Sequence, residues 1–190
     1  GKLVEYVRDA TAALNSLTVD STSDTRNNHS GQWNNGGPKT YTLTTGEEKI
    51  DLSQKNLGSA DVALVAAWMQ RPEVSAVVTD LNISTATIGD AGPTLVEAIS
   101  SSSTLNFITI GRGLRLPLKD RYDLDVLDAS QKGIEPGGVE VIAWWLTTPA
   151  AAAIARLTLR GNKITASKTW EDCGSDEDDK PEYDCDLSGL

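Results

Sequence analysis

Short alternations of apolar and polar residues recur along the chain and predict strands. In Leu157-Thr-Leu159, two leucines stand two positions apart, so both side chains point to one side of an extended segment. An apolar residue three positions earlier, Ile154, completes the pattern of apolar positions. The same pattern predicts six strands, centred on Leu17, Ile50, Leu81, Ile108, Leu127 and Leu157.

Helical spacing of apolar residues alternates with these strands. Val62, Val65 and Met69 fall on one helical face, and Pro72 follows where that helix should end. The spacing predicts helices over 58–71, 89–103 and 135–148, and an opening helix over 3–14. Strands that alternate with helices predict an α/β fold.

Two further segments depart from this rhythm. Residues 41–43 and 50–52 are short alternating segments on either side of Thr44-Thr-Gly46, which makes a hairpin between them plausible. Leu114-Arg-Leu-Pro-Leu118 also alternates, but Pro117 has no backbone N–H to donate. We therefore expect this segment to be an edge strand or an extended connector.

The segment Ile154–Ile164 fits the pattern L-x-x-L-x-L-x-x-N-x-L, with Asn162 at the asparagine position. Most successive strands are 27 to 33 residues apart. The chain therefore resembles leucine-rich-repeat proteins, in particular their ribonuclease-inhibitor-like class. The resemblance implies an α/β leucine-rich-repeat solenoid: a curved parallel sheet on the concave side, helices on the convex side, and irregular insertions.

The same resemblance implies a single domain over 1–190 with about five to six irregular repeats. Strand residues Leu81 and Leu157 should then be fully buried between neighbouring repeats. The last residues, Leu187-Ser-Gly-Leu190, look like the start of a further helix, so we expect this chain to be a fragment of a longer solenoid.

A longer self-similarity accompanies the pattern. Residues 51–69 align without gaps on residues 128–146, and Trp68 falls on Trp145. Upstream, Leu3-Val-Glu5 matches Leu95-Val-Glu97, and Leu14-Asn15 matches Leu105-Asn106. These matches predict a tandem duplication.

Two polar segments are predicted to be insertions. The first, residues 20–40, is rich in Ser, Thr, Asp, Asn and Gly, and it contains Trp33. Trp33 either folds back on the flank of the domain or anchors a partner. The second, residues 165–186, is acidic, and it is interpreted as a solvated loop in preference to a calcium site.

Composition narrows the classes of function. The chain has 17 Lys and Arg against 27 Asp and Glu, a formal net charge of −10, which argues against a nucleic-acid footprint. The sequence contains no run of 18 apolar residues, so direct membrane insertion is not predicted. We find neither a signal peptide nor a transmembrane segment in the sequence, which favours an intracellular location.

Catalytic chemistry is not indicated by the sequence. His29, the single histidine, lies in the first polar insertion rather than in a predicted element. Gly111-Arg-Gly113 lacks the third glycine of a phosphate-binding loop. Cys173 and Cys185 have no histidine nearby to make a zinc site, and whether they form a disulfide stays open. We therefore predict no enzyme, no cofactor and no metal.

The strand positions that lie between the core leucines would face outward on the concave side, and they suit recognition of a protein surface. The residues predicted to bind a partner are Thr18, Asp51, Asn82, Thr109, Asp128, Thr158 and Arg160, together with Trp33. The predicted function is a protein–protein interaction module. The alternative is a structural or accessory subunit held in a larger multi-protein assembly.

Overall fold

A computed structural model of the protein describes residues 2–9, 14–23 and 37–164. The helices within them are α1 (Lys2–Asp9), α2 (Ser59–Met69), α3 (Pro72–Ser75), α4 (Gly92–Ser101) and α5 (Pro136–Leu146). The strands are β1 (Ser16–Asp20), β2 (Thr40–Thr44), β3 (Lys49–Asp51), β4 (Asp80–Asn82), β5 (Phe107–Ile110), β6 (Leu114–Pro117), β7 (Val126–Asp128) and β8 (Arg156–Thr158). Short 3-10 turns at Gly89–Ala91 and Pro149–Ala151 adjoin α4 and α5.

The three helices predicted over 58–71, 89–103 and 135–148 are present as α2, α4 and α5. They pack in succession, α2 on α4 and α4 on α5, while α1 packs on α2. Their buried side chains meet those of Ile50, Leu81 and Ile108 from the strands in one hydrophobic core. The apolar spacing in the sequence therefore locates these elements correctly.

The predicted leucine-rich-repeat solenoid, however, is wrong. The described strands form three separate sheets of two, four and two strands, in the orders β1-β2, β3-β4-β5-β6 and β7-β8. The protein is a mixed α/β structure with no single curved parallel sheet in the described residues. Among the described strands, parallel pairing is confined to β3-β4-β5 and β7-β8, with Ile50 opposite Leu81 and Leu127 opposite Leu157.

Two antiparallel pairs, β1-β2 and β5-β6, interrupt the parallel pairing of the strands. Strand β2 pairs with β1, with Leu43 opposite Leu17, so the predicted hairpin between 41–43 and 50–52 is also wrong. Strand β6 turns back along β5 and occupies the edge that the solenoid prediction gave to β7. The connecting loop contains Gly111 and Gly113 at φ +53° and +80°, and glycine adopts such angles without steric cost. As predicted for a segment with Pro117, β6 is an edge strand.

The order of elements in the first half of the chain recurs in the second half. A helix, an antiparallel strand pair, a further strand, a helix and a final strand occur in this order as α1, β1-β2, β3, α2 and β4, with the short helix α3 between α2 and β4. The same order is found in α4, β5-β6, β7, α5 and β8. Within each half, the last strand pairs in parallel with the strand before its helix, β4 with β3 and β8 with β7.

A buried carboxylate joins the β1-β2 pair to the beginning of α2. Asp61 Oδ2 accepts hydrogen bonds from the backbone N–H of Gly58 at 2.8 Å and from the N–H and hydroxyl of Thr22, both at 2.7 Å. Its other oxygen accepts a bond from the Tyr41 hydroxyl at 3.0 Å. These contacts compensate a charge that would be costly to bury alone, and they fix the β1-β2 pair against α2.

Arg71 likewise joins separate segments, α1 and the chain that leads into β1. Its buried guanidinium donates to the carbonyl oxygens of Val7 at 3.4 Å and Leu14 at 3.3 Å, and pairs with Glu73. It also lies 5.0 Å from the ring centroid of Trp68. One cation thus holds the end of the first helix beside the chain that enters β1.

Candidate functional site

One face of the four-stranded sheet carries polar side chains, while the opposite face is buried. Side chains alternate along a strand, so Ile50, Leu81, Ile108 and Leu116 point together into the core. We call the other face the polar sheet face; its residues are Lys49, Asp51, Asp80, Asn82, Phe107, Thr109 and Arg115. In this register Asp51, Asn82, Thr109 and Arg115 form one row across four adjacent strands.

Arg115 is held on this face by two neighbouring side chains. Its Nη2 donates to Asp80 Oδ2 at 2.7 Å, and its guanidinium carbon lies 4.0 Å from the ring centroid of Phe107. The side chain nevertheless keeps about half of its surface, 51%, exposed. A cation oriented by a carboxylate and an aromatic ring loses little further freedom when it binds a partner.

The centre of the face is a shallow hollow of ≈ 230 Å³, lined by Lys49, Ile50, Asp51, Asp80, Asn82 and Arg115. Its rim therefore has two cations and two carboxylates arranged around one amide. Such a hollow offers charged and hydrogen-bonding groups of both signs to an incoming surface. Its volume is at or below the lower end of the range typical of small-molecule pockets.

Three of the predicted binding residues have a local role that the sequence analysis overlooked. Asp51 Oδ1 accepts the backbone N–H of Ser53 at 2.9 Å, Asn82 Oδ1 that of Ser84 at 3.0 Å, and Asp128 Oδ1 that of Ser130 at 2.9 Å. Each is an Asx turn that ends a strand. The repeated Asp/Asn-x-Ser spacing in the sequence was the available signal.

These turns also favour the ionised form of the two aspartates. The bonds from the Ser53 backbone and side chain, and a weaker one from Asn82, lower the pKa of Asp51. The hydroxyl and N–H of Ser130, helped by nearby Lys132, lower the pKa of Asp128. Both side chains therefore stay ionised to a lower pH than a free aspartate does, and Asp51 gives the polar sheet face a negative charge.

The structure brings only part of the predicted set together. Asp51, Asn82 and Thr109 lie side by side on the polar sheet face, although Thr109 is almost buried. Thr18 belongs to the separate β1-β2 sheet, where its hydroxyl is 2.9 Å from that of Thr42.

The remaining predicted residues lie elsewhere. Asp128 and Thr158 face each other across the β7-β8 pair. Arg160 is exposed just beyond β8, and its carbonyl accepts the N–H of Gln131 at 2.9 Å. Trp33, like the acidic segment 165–186, lies outside the described residues. Phe107 and Arg115 could not be identified from the sequence, because their contact depends on the antiparallel return of β6 along β5.

Two other hollows have a different character. One of ≈ 410 Å³ lies between α1, the end of β1 and α2, and is lined mainly by apolar side chains such as Leu3, Val19 and Leu64. The other, of ≈ 370 Å³, contains Arg112 and Lys163 together with Glu135. The Glu135 carboxylate already accepts the N–H groups of Ile88 and Gly89. Neither hollow brings together as many oriented side chains as the polar sheet face does.

Within the described ranges, no cluster of three or more His, Cys, Asp or Glu side chains is placed to hold a metal ion. The helices found there are all too short or too polar to cross a lipid bilayer. No family model, curated protein or solved structure gives a significant match to this chain.

Proposed function

We propose that the protein is a protein–protein interaction module and that the polar sheet face is its binding surface. The observation that carries the proposal is the row across four hydrogen-bonded strands in which Asp51, Asn82 and Arg115 lie on either side of the almost buried Thr109. A rigid sheet holds these groups in fixed relative positions, so a partner meets an ordered surface.

The contacts of Arg115 support a role as the main anchor on this surface. Arginine and aromatic residues often contribute most to binding energy at protein interfaces. Here the half-exposed guanidinium lies above Phe107 and beside Asp80, so three groups of different chemistry share one small area. The complementary partner would place a carboxylate near Arg115 and Lys49, and a hydrogen-bond donor or cation near Asp51.

The state of the carboxylates favours binding over proton-transfer chemistry. Hydrogen bonds lower the pKa of Asp51, and Asp80 is engaged with Arg115. A general acid or base works best when its pKa is close to the operating pH. The pKa of Asp51 is shifted further below neutral pH, which suits a fixed charge in an interface.

Affinity capture with purified variants tests this proposal. Arg115→Ala should reduce the recovery of a saturable partner by about tenfold or more, because it removes the oriented cation. Arg121→Ala, at an exposed position in the loop after β6, is the matched control that removes the same charge, and it should retain the partner. Equal recovery by wild type and both variants would remove the polar sheet face from consideration.

A structural subunit of a larger assembly is the second candidate, and one observation favours it. The outer strands β1 and β8 carry half-buried apolar residues, among them Leu17 and Leu157. Incompletely buried apolar residues on both outer strands are expected of a protein that packs between neighbours. Co-purification only with a multi-subunit particle, unaffected by Arg115→Ala, would favour this second function.

A further inference from the structure

The first and second halves of the chain meet at an internal junction, and the two outer ends of the protein could form an interface with the same geometry. Strand β4, the last of the first half, pairs in parallel with β5, the first of the second half, with Leu81 opposite Ile108. Helices α2 and α4 pack together beneath this pair. The internal junction thus consists of one strand pair and one helix pair.

Both outer ends repeat one side of this junction. At one end, β8 and α5 correspond to β4 and α2, because each strand follows its helix and pairs in parallel with the strand before it. At the other end, β1 and α1 correspond to β5 and α4, because each strand follows its helix and has an antiparallel return strand. We call these the β8 end and the β1 end.

The apolar side chains at the ends are exposed where their internal counterparts are buried. Leu3 on α1 is 54% exposed, whereas Leu95, its counterpart on α4, is 0% exposed. Leu146 on α5 is 37% exposed, whereas Met69, its counterpart on α2, is 1% exposed. The strand residues follow the same rule, since Leu17 and Leu157 are half-buried and Ile108 and Leu81 are fully buried. Burial of this surface would be favourable.

The backbone edges also match. Within the described residues β1 pairs only with β2 and β8 only with β7. Thr45 N–H donates to Asn15 and Ser21 N–H to Lys39, so the odd positions of β1 bond to β2. By the alternation of an antiparallel pair, Ser16 and Thr18 present their N–H and C=O groups at the other edge. Their internal counterparts, Phe107 and Thr109, bond to Thr79 and Ile83 on the β4 side.

We propose that the β8 end of one copy of this chain binds the β1 end of a second copy, in the geometry of the internal junction. Strand β8 would then lie parallel to β1 of the next copy, with Leu157 opposite Leu17, and α5 would pack on α1. The association is head to tail, so each copy uses two different surfaces. It leaves the polar sheet face free, and it stands whether or not that face binds a partner.

Sedimentation or light scattering across a concentration series tests the proposal on the 190-residue chain. The mass of the wild type should rise above the monomer value of 20.3 kDa at about 0.1 mM, as expected for a small interface. Leu3→Asp and Leu146→Asp each place a charge at one end, and each should lower the association constant about tenfold or more. Both side chains are exposed enough for the monomer to stay folded, which circular dichroism checks.

Mixing the two variants distinguishes a head-to-tail interface from any symmetric one. Leu3→Asp retains an intact β8 end and Leu146→Asp retains an intact β1 end, so the mixture should form a 1:1 heterodimer that grows no further. A wild type that remains monomeric throughout the series would overturn the proposal. A mixture no more associated than either variant alone would also overturn it.

Discussion

At the scale of single residues, buried polar groups explain how the β1-β2 pair is held against α2. Tyr41 is buried, and it donates to Asp61 while Asp61 accepts further bonds from Thr22 and Gly58. Burial, together with the negative charge and hydrogen bond of Asp61, raises the pKa of the Tyr41 hydroxyl. The hydroxyl of Tyr41 therefore stays protonated in the folded protein at a pH at which an exposed tyrosine already ionises.

Tyr41→Phe tests this hydrogen bond through the dependence of the unfolding free energy on alkaline pH. At pH 7 the variant should lose about 1.5–3 kcal/mol of unfolding free energy, the range for a hydrogen bond to a charged group. Because the folded pKa is raised, the contribution is complete below the unfolded value of about 10 and is lost as pH rises above it. Wild type should thus lose stability faster than Tyr41→Phe above about pH 10.

Urea unfolding at pH 7 and at pH 10.5 supplies the comparison. Tyr6→Phe, at a tyrosine that is 72% exposed, is the matched control and should behave as wild type does. A Tyr41→Phe variant as stable as wild type at pH 7 would show that the bond to Asp61 contributes nothing.

Asp51 gives the opposite pH dependence. Its folded pKa is lowered by the bonds from Ser53, so its contribution is complete above the unfolded pKa of about 3.9 and is lost as pH falls below that value. Asp51→Asn keeps an oxygen that can accept the Ser53 N–H but removes the titration. We expect the variant to lose less stability than wild type between pH 5 and pH 2, measured by urea unfolding. Asp120→Asn, an exposed position in the loop after β6, controls for the charge change; an equal effect there would refute the role of the turn.

At the scale of elements, local periodicity was a reliable guide and strand pairing was not. The apolar spacing in 58–71 depends only on neighbours along the chain, and α2 forms there. The partner of β1 depends on which strand returns to its edge, and that strand is β2. Gly111 and Gly113 were visible in the sequence but were considered only as part of a phosphate loop, whereas their positive φ angles produce the β5-β6 reversal.

Two buried tryptophans at aligned positions provide a matched test of how β6 is held. The indole N–H of Trp145 donates to the carbonyl of Pro117 at 2.6 Å, which ties α5 to the edge strand β6. The indole nitrogen of Trp68 is buried without a hydrogen-bond partner among the described residues. Trp145→Phe should therefore cost about 1 kcal/mol more unfolding free energy than Trp68→Phe, because it alone leaves a carbonyl unsatisfied. Equal costs in chemical denaturation would contradict this difference.

At the scale of the whole molecule, the division into three sheets explains why equivalent strand positions are buried to different extents. Leu81 lies in the middle of the four-stranded sheet and is fully buried, as the sequence predicted. Leu157 lies on the outer strand of a two-stranded sheet and is only half-buried, so that half of the prediction is wrong. Repeat spacing treats both positions alike, and the difference arises from the number of neighbouring strands.

Leu→Ala substitutions should report this difference. Leu81→Ala should cost about 2–5 kcal/mol, the usual range for a cavity in a packed core. Leu157→Ala should cost clearly less, because part of its side chain already contacts solvent in the monomer. Thermal and urea denaturation below the concentration at which copies associate would measure both, and a larger loss in Leu157→Ala would contradict the burial seen here.

The binding role of the polar sheet face is tested most directly by site-specific photo-crosslinking in cell extract. A photoreactive residue at exposed Lys49 lies on the rim of the hollow beside Asp51 and Asp80, and one at Glu97 lies on the exposed side of α4. We predict a discrete crosslinked species from position 49 that disappears when Arg115→Ala is combined with it, and none from position 97. A crosslink from position 97 alone, or an equal pattern from both positions, would contradict the assignment of this face as the binding surface.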